Sequence, residues 1–216
     1  MVPTPLKILS LDGGGVRGLS PLYILKALME ELQKRSNSPN IPRPCEVFDV
    51  ICGTSTGGLI ALMLGRLRMR VDEVIKCYED LSKEVFGMKR PCYVVRKLAG
   101  QAIYKTSKLE TCVKRIVADA LGNPDAPLEH PPQEKGGMGH FCRTFVVATY
   151  ADQLDRYPPC LRSYSTRNAK ADTCTIWEAA RATSAATTYF DPIEIHDQSS
   201  TSVLIVGVPY FYLRAV

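Results

Sequence analysis

The sequence predicts an α/β domain in which a mostly parallel sheet is wrapped by helices. Three observations lead there. Short apolar runs of strand character alternate with longer stretches whose apolar residues recur at helical spacing. Two glycine-rich turns sit where a strand-like run meets a helical one. The 216 residues, 45% hydrophobic and 23% charged, have the length and composition of a single globular domain with one core. The same composition excludes a disordered, collagen-like or coiled-coil chain. Lysine and arginine outnumber aspartate and glutamate 27 to 22, an excess too small and too scattered to predict nucleic-acid binding. At most it favours anionic surfaces.

The elements follow in order. Leu6 to Leu11 is an apolar run ending at Asp12-Gly13-Gly14-Gly15, which reads as a buried strand entering a tight turn. Ser20-Pro21 is expected to open a helix, because serine caps orphan amides and proline suits a first helical turn; Leu25, Leu28, Met29 and Leu32 then recur at helical spacing. A Pro-, Asn- and Ser-rich loop from Ser36 to Pro44 ends it. Val47 to Cys52 is the second strand, followed by Gly53-Thr54-Ser55-Thr56-Gly57-Gly58 and a helical stretch from Leu59 to Leu67. Val71, Val74, Ile75, Tyr78 and Leu81 mark a third helix. Ser107-Lys108-Leu109-Glu110 reads as a capping box opening a fourth, which Gly122 closes. After a polar loop from Asn123 to Gly139, the β-branched run Thr144 to Ala148 belongs in the sheet. A second capping box, Thr175 to Glu178, starts a helix through about Ala186.

The first twelve residues lack the apolar core of a secretion signal. No uncharged apolar run approaches the ~20 residues that span a bilayer, so a cytoplasmic protein with peripheral membrane contact is expected. Eight cysteines are spread along the chain with no C-x-x-C pair and three histidines beside them, which predicts reduced, mostly buried thiols and no metal site. His130, His140 and His196 are expected as solvated loop residues.

Gly53-Thr54-Ser55-Thr56-Gly57 is a G-x-S-x-G at a strand-to-helix junction. Ser55 is the candidate nucleophile. Gly53 and Gly57 would let the backbone turn sharply, holding the hydroxyl out of the sheet in a nucleophile elbow. The bland alternative is a helix-capping serine between two glycines. Asp12-Gly13-Gly14-Gly15-Val16-Arg17-Gly18 forms a second such turn, ambiguous by itself. Its amides suit a dinucleotide pyrophosphate, or an oxyanion developing during acyl transfer. Against a dinucleotide, the acidic residue expected about 20 residues on is missing, and no Gly-Lys-Ser or Gly-Lys-Thr supplies a P-loop. Arg17 is either a solvated charge or a group that attracts a phosphate-bearing substrate.

Leu9 to Gly18 together with Asp49 to Gly58 closely resembles the patatin-like phospholipases, particularly those of fungi. Thr144 to Tyr150, Trp177 to Ala186, and Tyr189-Phe190 also look like that family, so the resemblance spans roughly residues 6 to 195. It implies a three-layer α/β/α sandwich and a lipid acyl hydrolase that cleaves fatty acyl esters of phospholipids or related lipids. The implied machinery is a serine and aspartate dyad, without cofactor or metal. Ser55 would be the nucleophile, and Gly13, Gly14, Gly15, Arg17 and Gly18 the oxyanion loop. In such a dyad a carboxylate takes the serine proton and returns it to the leaving alcohol. A triad ordered Ser55, then Asp172 or Asp191, then His196 is the alternative, though no other feature picks out His196.

The sequence departs from the family where the dyad aspartate should stand. After Thr188 to Pro192, no Asp-Gly-Gly or Asp-Gly-Ala follows; Asp191 precedes Pro192, Asp197 precedes Gln198, and Val206-Gly207 lies near the expected position. Val203 to Leu213 is almost continuously apolar. The expectation is one domain over residues 1–216 that is truncated or mis-spliced, with a divergent tail from about His196. Its functional alternative is a catalytically incomplete form that binds lipid without turnover.

Overall fold

Three parallel strands carry the fold: β1 (Ile8–Leu11), β2 (Val50–Thr54) and β3 (Arg143–Val147). The computed structural model describes residues 5–87, 93–99, 101–131, 142–151, 159–186, 189–196 and 202–206. A short antiparallel strand, β5 (Cys160–Arg162), extends the sheet beyond β3, giving the order β1-β2-β3-β5. Helices pack on both sides, so the α/β sandwich with a mostly parallel sheet expected from the sequence is the observed fold. The parallel pairing of β1 with β2 sets Leu11 opposite Gly53, which puts the ends of the two strands, and therefore the two glycine-rich turns, side by side.

Helix α1 (Leu19–Ser36) buries Leu22, Leu25 and Met29. It starts after a 3-10 turn over Gly15–Gly18, so Ser20 lies inside the helix and is not its cap. A short helix, α2 (Pro44–Val47), leads into β2. The helix after β2 begins earlier than expected, at Ser55 itself: α3 (Ser55–Ala61) continues into a π-helical turn over Leu62–Arg66. That wider turn brings Arg66 inward, where its guanidinium donates to the carbonyls of Leu128 (2.8 Å), Pro127 (2.9 Å) and Glu129 (3.1 Å). Three backbone acceptors thereby stand in for the anion that a buried arginine normally requires.

The helices α4 (Val71–Phe86), α5 (Tyr93–Leu98) and α6 (Thr106–Leu121) follow. Gly122 ends α6 in a left-handed conformation (φ 74°) with its amide on the Ala118 carbonyl, as the sequence led us to expect. The capping box at Ser107 and Glu110 does not form. The helix starts two residues earlier, with Lys105 in place of Ser107 as its N-cap; Thr106 Oγ1 donates to Asp191 Oδ2 (2.8 Å), and Glu110 is drawn away by the buried Arg181, 3.1 Å from its Nε. The box before α7 (Ile176–Ser184) does form: Glu178 N–H donates to Thr175 Oγ1, and Thr175 N–H donates to Glu178 Oε2 at 2.7 Å.

The apolar C-terminal run supplies β7 (Ser202–Val206), which pairs antiparallel with β4 (Thr149–Tyr150) and with β6 (Ile193–His196) in a second sheet. Ile195 and Ile205 are buried there. The residues beyond Val206 lie outside the described residues, as does the second half of the polar loop before β3, from residue 132 on. Cys45, Cys112, Cys142 and Cys174 are buried and Cys52 and Cys77 half-buried, while Cys160 is exposed; none of these seven is in a disulfide.

Candidate active site

Ser55 sits at a sharp corner between β2 and α3. Thr54, the last residue of β2, is extended, whereas Ser55 is left-handed at φ 51°, one of three described non-glycine residues with positive φ. A serine held there is strained by of order 1 kcal/mol or more, and surrounding structure must enforce it. The flanking glycines are explained by steric approach. A Cβ on Gly53 would lie 2.5 Å from the carbonyl of Gly57, and one on Gly57 would lie 2.5 Å from the Asp12 carbonyl and closer still to that of Leu11. Neither backbone can yield, so both positions of the pattern require glycine.

Hydrogen bonds lock the corner from two directions. Ser55 N–H donates to Thr183 Oγ1 (2.8 Å), and that hydroxyl donates onward to the carbonyl of Val147 (2.7 Å). The elbow is therefore tied through α7 to the end of β3. Across from it, the turn after β1 is stitched to the elbow by the serine's two neighbours. Gly13 N–H donates to Thr54 Oγ1 (3.3 Å), and Gly14 N–H to Thr56 Oγ1 (3.0 Å). Gly15 takes φ 56°, a value suited to glycine, and its carbonyl accepts from the buried Tyr78 hydroxyl of α4 at 2.5 Å.

The structure brings Gly13 against Ser55: a Cβ on Gly13 would stand 2.9 Å from the serine Cβ and 3.5 Å from its Oγ. The other nominated residues differ in what they do. The Gly15 amide has no acceptor among the described residues. The Arg17 amide donates to the Gly14 carbonyl (3.2 Å), while its side chain is exposed. Gly18 is a packing position, since a Cβ there would lie 2.7 Å from the Tyr78 hydroxyl. Ser55 itself is half-buried.

A sequence model of the patatin-like phospholipases matches residues 9–205. The chain belongs to that family. The glycine loop and the serine elbow both lie within the matched region, which ends at Ile205 in β7. Human calcium-independent phospholipase A2-gamma is 31% identical over 190 residues, 86% of this chain and 22% of the human protein. Patatin-like protein 2 of Oryza sativa subsp. indica is 43% identical over 99 residues, covering 43% of this chain and 24% of the rice protein. Phospholipase A I of Arabidopsis thaliana is 43% identical over 86 residues, 40% of this chain and 6% of that protein. The chain thus spans about a quarter or less of the length of these patatin-like relatives.

Asp172 and Asp191, two of the carboxylates raised by the sequence, are engaged elsewhere. Asp172 accepts from the Arg162 amide (2.8 Å) and lies 3.6 Å from the Arg162 Nε, holding the loop after β5; burial raises its carboxyl above the usual range against the pull of Arg162. Asp191 is bound to Thr106, and its carbonyl accepts from Arg181 Nη2 (2.8 Å). His130 is half-buried and not solvated. Burial, with Arg66 and Arg68 nearby, holds its imidazole down to about 4, so it is neutral at physiological pH. The backbone of His196 lies in β6, its side chain outside the described residues, as are His140 and Asp197. Burial pushes the Cys112 thiol up to about 11 and Cys142 to about 12, so neither is an activated nucleophile. Among the described residues, no group of histidine, cysteine and carboxylate side chains is arranged to hold a metal ion.

Thr54, Thr56, Tyr78 and Thr183 are the supports that sequence reading did not nominate. Tyr78 had a signal, since a tyrosine at a core position of a helix needs a partner for its hydroxyl. Thr183 stood within the segment that carried the family resemblance, but nothing local tied it to Ser55.

Proposed function

We propose that the chain is a lipid acyl hydrolase that cleaves fatty acyl ester bonds of phospholipids or related lipids, with Ser55 as the nucleophile. The observation that carries this reading is the left-handed Ser55 on a strand-to-helix corner, with the Gly13 turn packed so close that a Cβ on Gly13 would stand 2.9 Å from the serine Cβ. Ser55 Oγ attacks the ester carbonyl and its proton passes to a carboxylate. The C–O bond to the leaving alcohol breaks as that proton is returned, and water then hydrolyses the acyl-serine by the same route. The amides of Gly13, Gly14 and Gly15 receive the oxyanion, a contribution of about 3 kcal/mol per well-placed donor. Arg17 and Gly18 shape the turn.

The carboxylate of the proposed Ser/Asp dyad is neither Asp172 nor Asp191, whose oxygens hold Arg162 and Thr106. No metal or cofactor takes part in these steps. The proposal includes a cytoplasmic location with peripheral contact to lipid; among the described residues no helix is long and apolar enough to cross a membrane.

The test is hydrolysis of a short-chain chromogenic ester and of dispersed phospholipid by the folded chain beside Ser55→Ala. Turnover falling by about 10³-fold or more in the variant is expected. Turnover that survives in Ser55→Ala, or is absent from the folded wild type, overturns the reading.

A further inference from the structure

Between Glu84 and Glu110 the chain runs 25 residues without an acid and carries six basic ones, Lys89, Arg90, Arg96, Lys97, Lys105 and Lys108. Its described centre is α5. Here Val94 is 54%, Val95 66% and Leu98 85% exposed. At positions i, i+1 and i+4 these side chains fall within about 100° of one helix face, and they are apolar groups that the fold leaves in water.

Both ends of this excursion are anchored. Phe86, which ends α4, packs edge-on against Tyr104 with ring centroids 5.2 Å apart; Ala102, Ile103 and Tyr104 are buried, and the Tyr104 amide donates to the Tyr189 carbonyl (3.1 Å). The excursion also leaves the molecule at the Ser55 end. The Lys26–Asp72 pair (2.6 Å) and the contact of Gly18 with Tyr78 set α1 and α4 antiparallel, with Tyr78 level with the glycine turn. Phe86 lies eight residues further on, about 12 Å at 1.5 Å per residue, beyond that turn. A second exposed apolar group, Tyr23, Ile24 and Leu28 on α1, shares its helix with Glu30 and Glu31 and lacks this one-sided charge.

We propose that α5 is an interfacial anchor that seats the protein on an anionic lipid surface, with Val94, Val95 and Leu98 entering the boundary between headgroups and acyl chains. Exposed apolar residues on a basic, acid-free segment have the two attractions that such docking combines, burial of hydrocarbon and attraction to lipid phosphates. The inference rests on the hydrolase reading, for which it supplies the orientation, since the same end of the molecule meets the lipid and carries Ser55.

The test uses the full chain, its V95E/L98E variant and its R96Q/K97Q variant. Each is sedimented with phosphatidylcholine vesicles, with and without about one-third phosphatidylserine, and each is assayed on a water-soluble monomeric ester. Wild type is expected to bind the phosphatidylserine vesicles and to be released by salt. V95E/L98E should partition at least tenfold more weakly with soluble-ester turnover unchanged, and R96Q/K97Q should lose the preference for anionic over neutral vesicles. Partitioning of V95E/L98E equal to wild type overturns the proposal. So does a wild type that ignores vesicles while hydrolysing the soluble ester, or one that forms a dimer abolished by V95E/L98E in place of vesicle binding. Vesicle binding lost in the variants, with no soluble-ester turnover in any of them, would uphold the anchor and sink the hydrolase.

Discussion

Replacing Thr183 by valine tests whether the strained corner at Ser55 is held by the hydroxyl behind it. Valine keeps the shape of threonine and the methyl group that packs against Gly58, but it removes both the acceptor of the Ser55 amide (2.8 Å) and the donor to the Val147 carbonyl (2.7 Å). Thr183 is fully buried, so water does not replace either partner. A buried polar group left unpaired costs about 1–3 kcal/mol, which puts the pair at about 2–6 kcal/mol. For a domain of this size each kcal/mol moves the midpoint by about 2–4 °C, so Thr183→Val should melt about 4–24 °C below wild type. Thr183→Ser keeps both hydrogen bonds and should recover most of that loss. The assay is thermal unfolding followed by circular dichroism, with soluble-ester turnover alongside. A valine variant melting within about 2 °C of wild type would refute the reasoning, because the corner would then be held without the hydroxyl.

Gly57→Ala sets a methyl group against the Leu11 and Asp12 carbonyls, and neither strand end can retreat without breaking the sheet; loss of soluble folded protein, or a melting point more than 10 °C lower by an estimated ~3 kcal/mol or more of overpacking, is the expected result in expression and unfolding trials. Tyr78→Phe removes the donor to the Gly15 carbonyl, so a drop in kcat of about tenfold with KM little changed is expected, worth about 1.4 kcal/mol, and an unchanged kcat would show that the turn holds its shape unaided. His130 has its folded pKa lowered to about 4 from 6.5. The unfolded chain therefore binds the extra proton first, and the stabilisation, complete above about pH 6.5, is lost as pH falls towards 4. Urea midpoints at pH 7.5 and 5 should differ more for wild type than for His130→Gln, and equal differences would count against this assignment.

Steric demands made within a few residues were legible in the sequence. Gly53 and Gly57 announced a corner because two backbones cross there, and Gly15 announced a turn because its φ suits glycine. The Thr175 box formed because, among the described residues, no distant group competes for Glu178. The Ser107 box failed because Arg181, 71 residues away, claims Glu110. Thr183 and Tyr78 act on residues 128 and 63 positions away, a separation at which neither periodicity nor spacing carries information. The second sheet escaped for a related reason: β4 has two residues and β6 four, too short for alternation to show, and their pairing with β7 exists only once the chain has folded.

The hydroxyls of Thr54 and Thr56 make the resting site selective in time. On the proposed mechanism the amides of Gly13 and Gly14 are needed by an oxyanion, yet in the unreacted protein each already donates to a neutral threonine oxygen. A ground-state ester carbonyl offers those amides little that a hydroxyl does not, so the bound substrate gains almost nothing by displacing it. An alkoxide carrying nearly a full charge forms hydrogen bonds roughly twice as strong, and it alone wins the exchange. On the proposed mechanism the threonines are placeholders that withhold binding energy from the substrate and release it to the transition state, where it would accelerate the reaction.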